Sequence, residues 1–241
     1  MAIVNGDYKH LEWDTAVYQA QDSVAYKELW EDFDIHSDNQ KRLGLPTRLV
    51  AKTFLFRLIF GGSAPAYAND PEFTHVSTDQ QYWQNAIDLF YEKYRGLQLW
   101  HESLITEVAS NNGILRTPSG RIYKFEMEYK GREWKWPRTK ILNYPVQGLG
   151  ADIMSLGRQV ACRRVYRECS RSLFVGTVHD SIMFDCHRDE VQKVGDILYQ
   201  TWDDLPKLFE KVFGPEYDLP CRIEVGFGPN WKNLTDLERT K

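Results

Sequence analysis

Val175-Gly176-Thr177-Val178-His179-Asp180-Ser181-Ile182-Met183-Phe184 reads as two short apolar strands meeting at a tight turn. β-Branched and aromatic residues flank His179-Asp180 on both sides, the pattern of a hairpin with a two-residue tip. Strands are expected over residues 172–178 and 181–185. An ionised aspartate at the tip of a buried apolar hairpin is costly unless a positive group offsets its lost hydration. A divalent cation is one such group. Capping of its own turn is the ordinary alternative for an aspartate here.

Outward from that hairpin, the run Ala2-Ile3-Val4, closed by Asn5 and Gly6, predicts a strand ending at Asp7. It is expected at or near an open sheet edge. Carboxylates from two strands can hold two Mg²⁺ ions roughly 3.5–4 Å apart, an arrangement suited to in-line phosphoryl transfer. Helical texture covers residues 13–33. Leu45-Pro46-Thr47 reads as a helix start with Thr47 as cap, and Leu49, Val50, Phe54, Leu58 and Ile59 form an apolar stripe up to Gly61-Gly62. Arg48, Lys52 and Phe56 step by four along the other side, so they share a face that Phe60 extends. Charge and a ring in one row suit a triphosphate and its base, or merely a solvated basic edge.

Residues 63–78 read as loop, and 79–110 as helix with a break near Gly96. A hairpin is expected over 113–136, helices over 147–168 and 189–213, and a final strand over 221–225. Strands near the start and in the second half, with helices between, imply an α+β fold with a mostly antiparallel sheet.

The 241-residue chain carries a net charge of −4, which argues against a plain nucleic-acid binder. Locally the balance reverses: Arg116, Arg121, Lys124, Lys130, Arg132, Lys135, Arg138 and Lys140 face only Glu126, Glu128 and Glu133. Such a stripe can bind phosphates while acidic surface elsewhere sets the sum. Cys162, Cys169, Cys186 and Cys221 lack zinc spacing, and reduced cysteines suit a cytoplasmic protein. The first residues resemble no targeting peptide, and no apolar run is long enough to cross a membrane.

Six ordered elements then resemble the motifs of family A DNA polymerases. Asp7-Tyr8-Lys9-His10-Leu11-Glu12 is similar to motif A and Asp34-Ile35-His36 to the family's Asp-Ile-His element. Arg48 through Lys52, Phe56 and Phe60 to Gly61 resembles motif B, the O helix of the fingers. Asn143-Tyr144-Pro145-Val146-Gln147-Gly148 resembles the start of a palm-side helix, and Val178-His179-Asp180-Ser181 resembles motif C. Glu224-Val225-Gly226-Phe227-Gly228-Pro229-Asn230-Trp231 is similar to the family's C-terminal end. Motif C leans to the phage branch.

The resemblance implies a palm over 1–14 and 113–241 and mostly helical fingers over 15–112. It implies two Mg²⁺ bound by Asp7, Asp180 and the Tyr8 carbonyl. Lys52 would reach the triphosphate and protonate the leaving group, with Arg48 and His36 on the outer phosphates. Glu12 would exclude a ribose 2′-hydroxyl, and Phe56 would stack on the incoming base, with Phe60 beyond it. Gln147 and His179 would meet the primer terminus, Asn143 would bind DNA, and Arg121 would contact its backbone.

Departures are Lys9 and His10 in motif A, Phe60 for a common tyrosine, and Ser181 where many bacterial members carry glutamate. The segment between His36 and Arg48 is also shorter. Thumb, early palm strands and 3′–5′ exonuclease are not in this chain. A second polypeptide is therefore expected to supply them, alongside primer-template DNA and dNTP as partners. A phage-encoded protein would act in the bacterial host cytoplasm. Three other readings stay open. One is a phage-type RNA polymerase, against which Glu12 argues. Another is a non-catalytic assembly or DNA-binding subunit, against which Asp7 and Asp180 argue. The third is a fragment inactive alone.

Overall fold

The computed structural model describes residues 1–240. The chain forms two compact units. One joins Met1–Leu11 to the chain from Leu149 onward, and the other is Glu12–Gly148.

The first unit is built on a five-stranded antiparallel sheet. Its strands are β1 (Ala2–Tyr8), β6 (Leu173–Val178), β7 (Ser181–Cys186), β8 (Ile223–Asn230) and β9 (Asn233–Asp236), in the spatial order β6-β7-β1-β8-β9. The fold is α+β, as expected. β1 is not an edge strand, however. It pairs with β7 from Ala2 opposite Cys186 to Asp7 opposite Ser181, and with β8 from Ile3 opposite Gly228 to Tyr8 opposite Ile223. Both of its hydrogen-bonding sides are thus used, and Val4, Asn5 and Gly6 are buried. β8 is not last either. The Asn230 side chain accepts from the amides of Lys232 and Asn233 and turns the chain back as β9.

One face of this sheet is covered by α9 (Val191–Phe213), which follows a single 3₁₀ turn at Arg188–Glu190. The even positions of β1 point to it. Tyr8 meets the ring of Trp202 edge-on at 6.3 Å, and a Cβ on Gly6 would lie 2.6 Å from Ile223 Cδ1 and 3.2 Å from Leu198 Cδ1. Side chains alternate along a strand, so Asp7 projects from the opposite face.

The second unit is mostly helical: α2 (Ser23–Trp30), α3 (Ile35–Arg42), α4 (Arg48–Ile59), α5 (Ala64–Asn69), α6 (Gln80–Lys93) and α7 (Arg95–Ser110). The expected single helix over 13–33 is two: α1 (Leu11–Ala20) ends before Gln21, which has φ 51°, and Asp22 caps α2 through the amides of Val24 and Ala25. α5 lies inside the expected loop, and the break in 79–110 falls at Tyr94. In place of one long hairpin there are two small ones. β2 (Ile114–Arg116) pairs with β3 (Ile122–Lys124), and β4 (Glu128–Lys130) with β5 (Glu133–Lys135). These strands group with the helices, since Leu115 and Phe125 pack with Leu104, Val108, Ile141 and Leu142.

α8 (Arg138–Glu168) runs from one unit into the other and begins well before residue 147, passing through Pro145. Proline normally breaks such a run. Here the Gln19 amide donates to the Pro145 carbonyl and the Thr15 hydroxyl to that of Val146, each at 3.3 Å, anchoring the turn around the proline.

His101 of α7 is buried, with the Tyr91 hydroxyl 2.9 Å from its Nδ1. Burial, and then the positive charge of Arg138, push the imidazole pKa down to about 3. The ring is therefore neutral when folded and titrates near 6.5 when unfolded. Below pH 6.5 the unfolded chain binds the extra proton, so stability falls as pH drops from 6.5 towards about 3. His101→Phe should remove this contribution, which is up to about 1.4 kcal/mol per pH unit. Denaturant unfolding of both proteins between pH 7 and 5 checks it. Parallel profiles would reject the buried neutral histidine.

Candidate active site

Within the first unit, β1 and β7 bring Asp7 and Asp180 together. The Tyr8 amide donates to the Asp180 carbonyl at 2.9 Å, and Ser181, the next residue, sits opposite Asp7. His179 takes the left-handed conformation, φ 53°, that closes the two-residue turn and leaves its ring exposed. The Ser181 hydroxyl donates to Asp7 Oδ2 at 2.6 Å, which fixes that carboxylate's rotamer. On the other side of β1, Glu224 is the register partner of Asp7 and pairs with Lys9 Nζ at 3.9 Å. Lys9 thus offsets a neighbouring carboxylate. No local signal announces this, because the Asp7–Glu224 pairing depends on the sheet order.

Among the described residues no cluster of three or more His, Cys, Asp or Glu side chains is arranged to hold a metal. Asp7 and Asp180, at adjoining strand ends, carry hard oxygen donors of the kind that a divalent cation of the Mg²⁺ type takes.

In the second unit, α4 starts as expected, with the Thr47 hydroxyl accepting from the Val50 amide. Val50, Ala51, Phe54, Leu55, Leu58 and Ile59 are buried, which turns Arg48, Lys52 and Phe56 outward. Leu49, expected in the apolar stripe, is instead 72% exposed. Phe60 is the residue that ends the helix. Lys52 Nζ lies 5.8 Å from the centroid of the Phe56 ring, and the His36 and Phe56 ring centroids are 6.0 Å apart with their planes tilted by 50°. His36 itself is only 2% exposed. Arg48 is held by Asp34, which also caps α3.

Glu12 and Gln147 also meet, the Gln147 amide donating to Glu12 Oε1 at 2.7 Å. Gln147 is exposed on α8, with Asn143 one turn earlier. Next to them, a Cβ on Gly148 would lie 1.8 Å from the Tyr123 hydroxyl, so any larger residue requires the Tyr123 side chain to shift. Arg121 is exposed before β3. Part of the basic stripe is internally neutralised: Lys130 and Lys140 pair with Glu128, and Lys135 with Glu133.

The antiparallel sheet thus places two aspartates at the ends of adjoining strands. A family model described as DNA polymerase family A matches residues 1–233, and the chain belongs to that family. It is 23% identical over 243 residues to DNA polymerase I of Chloroflexus aurantiacus, covering 97% of this chain and 24% of that protein. It is 24% identical over 239 residues to DNA polymerase I of Pseudomonas aeruginosa, with 95% and 24% covered. The chain thus spans about a quarter of the length of these relatives. The POL domain of Pol1 from M. smegmatis, solved in complex with DNA primer-template and dNTP, superposes with a TM-score of 0.79. That match has 18% identity and covers 96% of this chain and 40% of that one.

Proposed function

We propose that this chain is the nucleotide-adding part of a DNA polymerase, extending a primer 3′-hydroxyl with dNTPs in DNA replication. The observation that carries this reading is the placement of Asp7 beside Asp180: Asp7 is the register partner of Ser181, and the amide of Tyr8 donates to the Asp180 carbonyl. Asp7, Asp180 and the Tyr8 carbonyl would hold two Mg²⁺, which when bound supply activation of the 3′-hydroxyl and neutralise the phosphates. Arg48 would fix the outer phosphates in place, so that positive charge stands where anion develops, while His36, buried beside Phe56, would reach them only if that ring moves aside. Lys52 would hold the triphosphate and give its Nζ proton to the leaving pyrophosphate. Phe56 would carry the base, with Phe60 at the end of the row.

Glu12, oriented by Gln147, would stand against the sugar C2′ and leave no room for a hydroxyl. Glu12→Ala should therefore raise ribonucleotide use relative to dNTP by about a hundredfold, the scale set by removing a desolvated polar clash. Single-nucleotide incorporation kinetics with paired dNTP and rNTP measure it, and an unchanged ratio would remove Glu12 from this role. Gln147 and His179 would meet the primer terminus, Asn143 would bind DNA, and Arg121 would contact the DNA backbone. Palm and fingers would follow the boundaries 1–14, 15–112 and 113–241.

We further propose a second polypeptide that carries thumb, early palm strands and 3′–5′ exonuclease. β1 gives no support for it, being paired on both sides. The support lies on the edge strand β6, where Leu173 and Val175 are 62% and 56% exposed. An exposed apolar edge invites pairing with another segment. Replacement of the family's glutamate by Ser181 supports the phage branch, with action in the host cytoplasm. No described helix is long and apolar enough to cross a membrane. Primer extension with and without the candidate partner tests the whole reading. No dNTP addition under either condition would refute it and favour an assembly subunit.

A further inference from the structure

We infer that Asp34 is a positioning residue for the incoming triphosphate, acting by clamping one edge of the Arg48 guanidinium so that the other edge is presented to phosphate. The inference rests on the reading of α4 as the triphosphate helix. Arg48 is the first residue of α4, and Asp34 is the residue just before α3. Arg48 Nε lies 3.2 and 3.0 Å from Asp34 Oδ1 and Oδ2, and Nη2 lies 3.0 Å from Oδ1. This is side-on, bidentate pairing through the Nε–Nη2 edge. A guanidinium has five N–H donors in a fixed plane. Nη1 makes no bond among the described residues, so the Nη1–Nη2 edge is available to a second anion.

Asp34 is itself held rigidly. Its Oδ1 accepts from the amides of His36 and Ser37, and its Oδ2 from the Ser37 hydroxyl at 2.7 Å. The Arg48 guanidinium, followed by these Ser37 bonds, keeps the carboxyl far below the usual aspartate range, so it stays ionised at any working pH. One carboxylate therefore starts α3, whose second residue is His36, and aims the first cation of α4.

Two opposite effects on an anion follow. Asp34 repels it, but both side chains are about half exposed, and such repulsion is screened over about 8 Å at physiological salt. It also removes the rotamer freedom that a long arginine would lose on binding, and salt does not screen that gain. Orientation should therefore win at physiological ionic strength, and its margin should shrink as salt is lowered.

Asp34→Asn separates these roles from folding. Asparagine caps a helix as well as aspartate does. The amide oxygen can still take the His36 and Ser37 amides, while the charge and the second acceptor for Arg48 are lost. The test is calorimetric titration of dGTP with Mg²⁺ into the chain at about 0.15 M salt, without primer. Asp34→Asn should weaken binding about tenfold, within the roughly 30-fold that an arginine's rotamer entropy represents. It should have less effect at low salt, and none when Arg48 is already alanine. A merely structural role would add to Arg48→Ala rather than vanish. If Asp34→Asn does not fold, Arg48→Lys keeps the charge, lacks the second edge and should weaken binding by a similar factor. Unchanged or tighter binding by a folded Asp34→Asn, with Arg48→Ala still weakened, overturns this inference alone. No dGTP binding by the wild type, or no effect of Arg48→Ala, overturns the triphosphate reading of α4 and this inference with it.

Discussion

Asp7→Asn and Asp180→Asn should each lower primer extension by at least about a thousandfold, which is the loss of roughly 4 kcal/mol of transition-state stabilisation. Each change keeps the size of the side chain and removes one hard oxygen donor from a pair. The fold should survive both. Asp7 projects from the face of the sheet that α9 does not cover, and Asp180 sits in the turn between β6 and β7. The Tyr8–Asp180 backbone bond that brings them together does not involve either side chain. Rates should be compared in the assembly in which the wild type extends a primer, with Mn²⁺ binding followed separately. A variant that keeps more than about a tenth of the rate would refute the shared-metal role, since one lost ligand should cost far more.

Trp83→Ala should destabilise the chain by about 4–5 kcal/mol, at the upper end for a large buried aromatic. Trp83 is fully buried in α6. Its ring stacks on Tyr67 at 5.2 Å and on Phe54 at 6.1 Å, and Phe73 meets it edge-on at 5.2 Å. Its Nε1 donates to the Ser77 carbonyl at 2.9 Å, so truncation also orphans that acceptor. The melting temperature should fall by about 10–15 °C for a chain of this size. The effect reaches function because Phe54 belongs to the buried side of α4, and the aromatic cluster sets which side of that helix carries Arg48, Lys52 and Phe56 to solvent. Trp83→Phe, which keeps most of the ring contacts, should recover much of the loss. Reversible denaturant unfolding measures both. A loss below about 1.5 kcal/mol for Trp83→Ala would mean that the cluster repacks around the gap.

Much of this protein was legible in the amino-acid order where the physics is local. Thr47 announced the start of α4 because a hydroxyl there caps an amide three residues on, and Gly61, with φ 87°, marked its end. Alternating apolar residues around His179-Asp180 gave β6, the turn and β7 nearly to the residue. The step of four from Arg48 to Phe56 gave the exposed row of α4, and the ordered motifs gave the family. The failures were non-local. Nothing near Ala2-Ile3-Val4 says that β7 and β8, some 180 and 220 residues away, will occupy both of its sides. Pro145 argued locally for a break, yet α8 runs through it, with side chains of α1 bonded to the carbonyls of Pro145 and Val146. The pairings of Asp34 with Arg48, Glu12 with Gln147 and Asp7 with Glu224 link residues whose separation in sequence carries no periodic signal. Backbone hydrogen bonds and side-chain periodicity act over a few residues, so sequence determined the elements, the family and the reacting residue types. Partner choice across the sheet and between helices is settled by burial over the whole unit, and only the tertiary structure decided which carboxylate stands beside which cation.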